Sequence, residues 1–185
     1  MGQPTVKARM QALLVEIDYD FYHFTLDDFA HWLEQQQERP IIFVPREMPP
    51  ALYGAWVKAT DKDYIFFDQN TISIHQAHIQ LHEMAHMICQ HPTVEVESSQ
   101  VRTIMRYAGS EDLTGCIESL LLRSVHLDQY EEEAEMLTSL IQERVIKARR
   151  LSELDNAISQ EGDFASYFAA YIQAMEKDNQ CSKRS

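Results

Sequence analysis

The sequence is poor in cysteine, and it has no long apolar run. Its three cysteines, Cys89, Cys116 and Cys181, are too few and too scattered for a disulfide framework or a zinc site built on paired cysteines. The first residues lack the charged-then-apolar pattern of a signal peptide, and no apolar stretch reaches membrane-spanning length. We therefore expect a cytoplasmic location and no membrane partner.

Basic residues are also scarce, with 16 Lys and Arg against 29 Asp and Glu and a formal net charge of -13. Such a balance disfavours nucleic-acid backbones and anionic membranes as partners, and it suits a basic protein better. The only basic clusters, residues 147–150 and 183–184, are short. With 185 residues, 45% of them hydrophobic, and no internal repeat, the chain predicts a single domain, residues 1–185, with a sizeable core.

The most informative stretch is residues 73–90, which contains the pattern His82-Glu83-x-x-His86. Neither Gly nor Pro interrupts it, Ser73 is a plausible N-cap and Pro92 ends it, so we predict a helix. Histidines four apart on a helix lie one above the other and can bind one metal ion, while the intervening Glu is directed at a water. The pattern is typical of zinc hydrolases.

Three short extended segments, residues 41–44, 54–58 and 64–67, lie within residues 41–68 and predict a small, mostly antiparallel three-stranded sheet. Residues 1–40 predict N-terminal helices, one of them capped by Thr25. The fold class is therefore α+β, with the sheet packed on the metal-binding helix and the rest mainly helical. The edge strand either holds a peptide by strand addition or serves only as a packing layer.

A third protein ligand is needed, and the acids at the start of a predicted helix, residues 130–150, can supply it. Glu131 and Glu133 flank the apolar face of this helix, whereas Glu132 points away from it. Periodicity leaves both flanking acids open, and a solvated acidic first turn is the alternative to any metal role. We predict a final helix over residues 163–176 and a frayed tail over residues 177–185.

Taken together, the small sheet, the HExxH helix with His91 after it, and the second helix beginning Glu131-x-x-Ala134 resemble the ImmA/IrrE family of metallopeptidases. The similarity covers about residues 41–145. It implies a zincin-like core in which His82, His86 and Glu131 are metal ligands. Glu83 would then be the general base. Family members are cytoplasmic proteases that cut helix-turn-helix repressors and so control mobile-element excision or a stress response.

The expected function is that of a metal-dependent endopeptidase with a protein substrate, namely a DNA-binding repressor cut at a specific site. Zinc is the first choice by ligand type, and the same ligands accept manganese or iron. The alternatives are a non-catalytic metal-containing protein that sequesters a basic regulator and a hydrolase of non-protein amides. Candidates for an oxyanion-stabilising donor are Tyr107, His126 and Tyr130.

Four further residues lie near the proposed ligands in sequence. We expect His75 and His78 to line the wall of the cleft. His91 either orders the ligand shell or is an ordinary loop histidine. Cys89 is expected to be a small buried hydrophobic residue rather than a ligand.

Overall fold

The structure is a computed structural model that describes residues 4–48, 52–101 and 128–161, with side chains up to residue 156. The chain divides into two compact units, Met1–Gln142 and Glu143–Ser185, and the prediction of a single domain stays a prediction. The predictions for residues 102–127, which include Tyr107 and His126, and for residues 163–185 lie outside the described residues. Within the described part of the chain, every helix is too short or too polar to cross a membrane.

Two helices precede the sheet, and each begins at a threonine. Helix α1, Val6–Glu16, starts after Thr5, whose hydroxyl accepts a hydrogen bond from the Ala8 backbone N–H. A short 3-10 turn, Phe21–His23, leads to helix α2, Leu26–Gln37. The predicted cap is confirmed, since Thr25 Oγ1 accepts a hydrogen bond of 3.0 Å from the Asp28 backbone N–H.

The sheet has four strands, β1 Ile41–Arg46, β2 Gly54–Ala59, β3 Asp63–Asp68 and β4 Val94–Val96, in the order β1-β3-β2-β4. Strands β2 and β3 form an antiparallel pair, but β1 is parallel to β3 and β4 is parallel to β2. The α+β class is confirmed, and the prediction of a three-stranded, mostly antiparallel sheet is wrong. Only β2 and β3 are joined by a tight turn, which forces antiparallel pairing. The outer strands, β1 and β4, are joined to the rest of the sheet by longer connections, which allow either parallel or antiparallel pairing.

Helix α3, Ser73–Ile88, contacts β2 and β3, as predicted for the HExxH helix. Its cap is Ile72, which makes no side-chain cap hydrogen bond, so the prediction of Ser73 as the cap is wrong by one residue. After α3 ends, Gln90 adopts a positive φ of 55° and turns the chain back. The His91 backbone N–H then donates a hydrogen bond of 3.1 Å to the His86 carbonyl. This bond holds His91 against the C-terminal end of α3.

Helix α4, Asp128–Glu161, contains the predicted third-ligand helix and extends beyond it at both ends. Ala134, Leu137 and Ile141 are fully buried along one of its faces. Their spacing of three and four residues is that of an amphipathic helix whose apolar side faces a core. The first turn of α4 therefore has a fixed orientation, which decides where its acidic side chains lie. In the second unit, Lys147 pairs with Glu143 one turn earlier along the same helix.

Candidate metal centre

The two histidines of the HExxH pattern lie one turn apart on α3 and direct the same ring atom to one point. The Nε2 atoms of His82 and His86 are 3.0 Å apart. The His86 side chain is 1% exposed, and that of His82 is 17% exposed. Both rings are thus largely buried, and their Nε2 atoms converge, as the binding of one metal ion by both histidines would require.

The carboxylate of Glu131, at the start of α4, lies against both rings. Its Oε2 atom is 3.1 Å from His82 Nε2, and its Oε1 atom is 3.5 Å from His86 Nε2. For comparison, two ligands of a tetrahedral zinc ion with bonds of 2.0–2.1 Å lie about 3.3 Å apart. The three residues fit such an ion in the chemistry of their donors, and one ligand atom from each lies within 4.8 Å of the other two. Glu133, the acid that periodicity left equally open, lies elsewhere, on His91.

Glu83 lies between the ligand pair and the sheet. It is 6% exposed, and the backbone N–H of Trp56 in β2 donates a hydrogen bond to its carboxylate. Burial raises the pKa of Glu83 to about 7; nearby His82 opposes this rise, and Glu131 adds to it. The carboxyl group is therefore fixed in direction by β2 and sits next to the converging donor atoms.

The ionisation of the three donors reflects their mutual contacts. The close contacts with the His82 and His86 rings hold the pKa of Glu131 well below its usual range. Burial lowers the pKa of His86. For His82 burial acts in the same direction, but the neighbouring carboxylates outweigh it and raise the pKa of that ring. Glu131 is thus a carboxylate at neutral pH, the form in which it can bind a cation.

The cleft in front of the site is lined by both helices and by the start of β2. His75 and His78 belong to this wall, as expected: His75 Nδ1 is 2.8 Å from Thr71 Oγ1, and His78 Nδ1 is 3.1 Å from the amide of Gln142. Cys89 lies 3.8 Å from Met10 Sδ and apart from the three donors, as expected, but it is half-buried rather than buried. Burial raises the pKa of its thiol to about 12.

Among the residues that the structure describes, one edge of β2 lacks a strand partner beside Glu83. Strand β4 pairs only with residues 57–59 of β2, so no strand of the described residues covers residues 54–56 on that side. At Gly54 the backbone of β2 lies very close to side chains of α3. A Cβ atom added there would lie 2.6 Å from Glu83 Oε1 and 2.5 Å from Ile79 Cγ2. The edge therefore lies so close to the site that a side chain at residue 54 would force Glu83 and Ile79 to move.

The chain matches no protein-family model, and no curated protein matches its sequence. Support for a function therefore comes from the donor set, its geometry and the resemblance of the two motifs.

Sequence reasoning missed three contributors to the site. A glycine at a strand position signals close backbone approach, and with only five glycines in the chain Gly54 could have been singled out on that ground. The backbone N–H of Trp56 carries no signal in sequence. Neither does Arg9 of α1, whose Nη2 atom donates to Glu133 at 2.6 Å, because no local pattern links residues so far apart.

Proposed function

We propose that this chain is a metal-dependent endopeptidase in which His82, His86 and Glu131 hold the ion and Glu83 is the general base. The observation that carries the proposal is the convergence of two imidazoles and one carboxylate, with one ligand atom from each within 4.8 Å of the others, next to a buried glutamate. Two His and one acid are the ligand set of catalytic zinc sites, which keep a further position open. Zinc is our first choice, and manganese is the second.

Each of these residues has a separate role. When bound, a divalent ion makes a water molecule acidic near neutral pH and polarises a carbonyl group. The carboxylate of Glu131 lowers the net charge of the donor set and ion from +2 to about +1. Glu83 accepts the proton of the attacking water at its carboxylate and later delivers it to the leaving amine. The hydrogen bond from the Trp56 N–H keeps that carboxylate in one orientation.

An extended peptide is the substrate shape that the cleft suits best. Residues 54–56 of β2 have no described strand partner on the side of β4, and we propose that a peptide strand pairs there at Gly54, because Trp56 already bonds Glu83 through its N–H and Thr93 through its carbonyl. A protein substrate that is basic overall would complement the net charge of -13. We propose a helix-turn-helix repressor in the cytoplasm as the substrate, on the strength of the resemblance to the ImmA/IrrE family.

The test is a comparison of zinc-loaded wild type with Glu83→Gln, which removes the base and keeps all three donors. The probe is a peptide library made from a digested proteome, with new N-termini read by mass spectrometry. We expect cleavage by wild type and a loss of at least about 100-fold in Glu83→Gln. The matched control, Glu132→Gln, changes an exposed acid on α4 and should cut like wild type.

Equal cleavage by wild type and Glu83→Gln would contradict the proposal, because it would point to a contaminating protease. The sequestering function would be favoured instead if wild type cut nothing, and if wild type and Glu83→Gln both bound a basic DNA-binding protein stably.

A further inference from the structure

The ligand His86 is held from behind by a buried chain of polar residues. Its Nδ1 atom, on the far side of the ring from the metal position, lies 2.8 Å from Nδ1 of His91. The other ring nitrogen of His91, Nε2, lies 3.2 Å from Oε2 of Glu133. The second oxygen of that carboxylate accepts a hydrogen bond of 2.6 Å from Arg9 Nη2. Arg9, Glu133, His91 and His86 thus form one continuous network.

We propose that His91 and Glu133 are positioning residues for the metal site. They hold the His86 ring in the orientation, and in the tautomer, that presents an unprotonated Nε2 to the ion. This inference rests on the proposed function, since it concerns the same donor set. Nothing in the sequence pattern alone distinguishes this role of Glu133 from that of a surface acid.

The direction of each hydrogen bond follows from the chemistry of the groups. A carboxylate only accepts, so the proton between Glu133 and His91 resides on His91 Nε2. A neutral His91 then has a bare Nδ1, which accepts the proton carried by His86 Nδ1. His86 is left with its lone pair on Nε2, the atom that faces His82 and Glu131. One carboxylate therefore sets the tautomer of two successive imidazoles.

Burial makes this network costly to break and so keeps it in place. His86, His91 and Glu133 are 1%, 5% and 8% exposed. A carboxylate at that depth is stable only when its oxygens are paired, and Arg9 and Gln129 donate to the oxygen that His91 does not use. The His91 ring also stacks on Tyr130, with ring centroids 4.7 Å apart, which fixes its plane.

The other ligand histidine has a weaker partner of this kind. His82 Nδ1 lies 3.4 Å from Oε2 of Glu135, whose side chain is 55% exposed. An exposed carboxylate at that distance orients a ring less firmly than a buried partner at hydrogen-bonding distance. Loss of the buried network should therefore weaken metal binding more than loss of Glu135 does. Removal of an outer partner of a ligand histidine typically lowers metal affinity by about 10- to 100-fold.

The experiment compares zinc affinity, by chelator competition, in wild type, Glu133→Ala, Glu133→Gln, Glu135→Ala and the exposed control Glu132→Ala. We expect Glu133→Ala to bind zinc about 10- to 100-fold more weakly than wild type. Glu133→Gln should recover part of the loss, because its amide oxygen still accepts from His91. The control should match wild type, and Glu135→Ala should lose less than Glu133→Ala.

Two further measurements separate positioning from a loss of folding. The visible spectrum of the cobalt-substituted protein reports ligand geometry, and it should change in Glu133→Ala and remain unchanged in Glu132→Ala. His91→Phe keeps a ring to stack on Tyr130 and removes both nitrogens; it should weaken zinc binding like Glu133→Ala. If Glu133→Ala fails to fold in circular dichroism, His91→Phe decides the question.

The possible failures are distinguishable. If wild type binds zinc, and Glu133→Ala and His91→Phe bind it equally well with an unchanged cobalt spectrum, the positioning role is overturned and the metal site stands. If wild type binds neither zinc nor cobalt, the metal site itself is overturned, and the positioning role with it.

Discussion

The Oε2 atom of Glu131 lies 3.1 Å from Nε2 of His82, although 49 positions separate the two residues in the chain. Helix α3 supplies two donors, and the first turn of α4 supplies the third. Because the site is shared between two helices, any change that shifts α4 along α3 removes a metal ligand even when the HExxH residues are unchanged.

Gly54→Ala should lower activity while the metal is retained. The added methyl group would lie 2.6 Å from Glu83 Oε1 and 2.5 Å from Ile79 Cγ2, so Glu83 must move. We expect a loss of about 1–3 kcal/mol in the free energy of unfolding from the overpacking. A displacement near 1 Å of the base should cost about 100-fold in kcat. Zinc content should stay at the wild-type level, since no ligand is changed.

A matched control for this variant is Lys58→Ala on the same strand, whose side chain is 41% exposed. It should leave both kcat and the urea midpoint near the wild-type values. Full activity in Gly54→Ala would show that the approach of β2 does not fix the position of Glu83.

Asp63→Ala should destabilise the sheet strongly. Asp63 is 1% exposed, accepts a hydrogen bond of 3.0 Å from Trp56 Nε1 and pairs with Arg39 Nε at 2.8 Å. Removal of the carboxylate leaves a buried indole N–H and a partly buried guanidinium without this partner, which costs about 3–5 kcal/mol. Urea denaturation measures the effect. The exposed control Asp18→Ala should change stability by less than about 0.5 kcal/mol; similar midpoints for the two variants would refute the prediction.

Cys89 should react slowly with iodoacetamide in the folded protein. Burial raises the pKa of its thiol to about 12, above the ordinary value, so below that pH the thiol keeps its proton. The thiolate is the reactive form, and at pH 8 we expect alkylation to be at least about 100-fold slower than in the urea-unfolded chain. Mass spectrometry of the peptide that contains Cys89 reads this residue alone. Equal rates in the folded and unfolded chain would mean that the thiol is accessible and ionised.

The local elements could be predicted from the sequence because each has a local cause. Thr25 caps α2, the run without Gly or Pro forms α3, and the apolar spacing at Ala134, Leu137 and Ile141 defines the face of α4. The HExxH pattern predicted the pairing of His82 with His86, because a helix places residues four apart on one side. These features depend on neighbours within one or two turns.

What the sequence could not predict depends on distant contacts. The position of β3 between β1 and β2 follows from how three strands assemble, and the addition of β4 involves only three residues, Val94–Val96. Periodicity left Glu131 and Glu133 equivalent, because both flank the same apolar face. They differ only in their partners: Glu131 contacts the ligand rings, whereas Glu133 contacts His91 and Arg9. The resemblance selected Glu131, and its position against both rings supports that choice.

The central claim is that His82, His86 and Glu131 together bind one metal ion. The most direct measurement is the metal content, by elemental analysis, of wild type, Glu131→Ala and the exposed control Glu132→Ala after purification with zinc and dialysis. We predict about one zinc per chain in wild type and in the control, and a loss of most of it in Glu131→Ala. A wild type without zinc, or a Glu131→Ala variant that retains all of it, would contradict the claim.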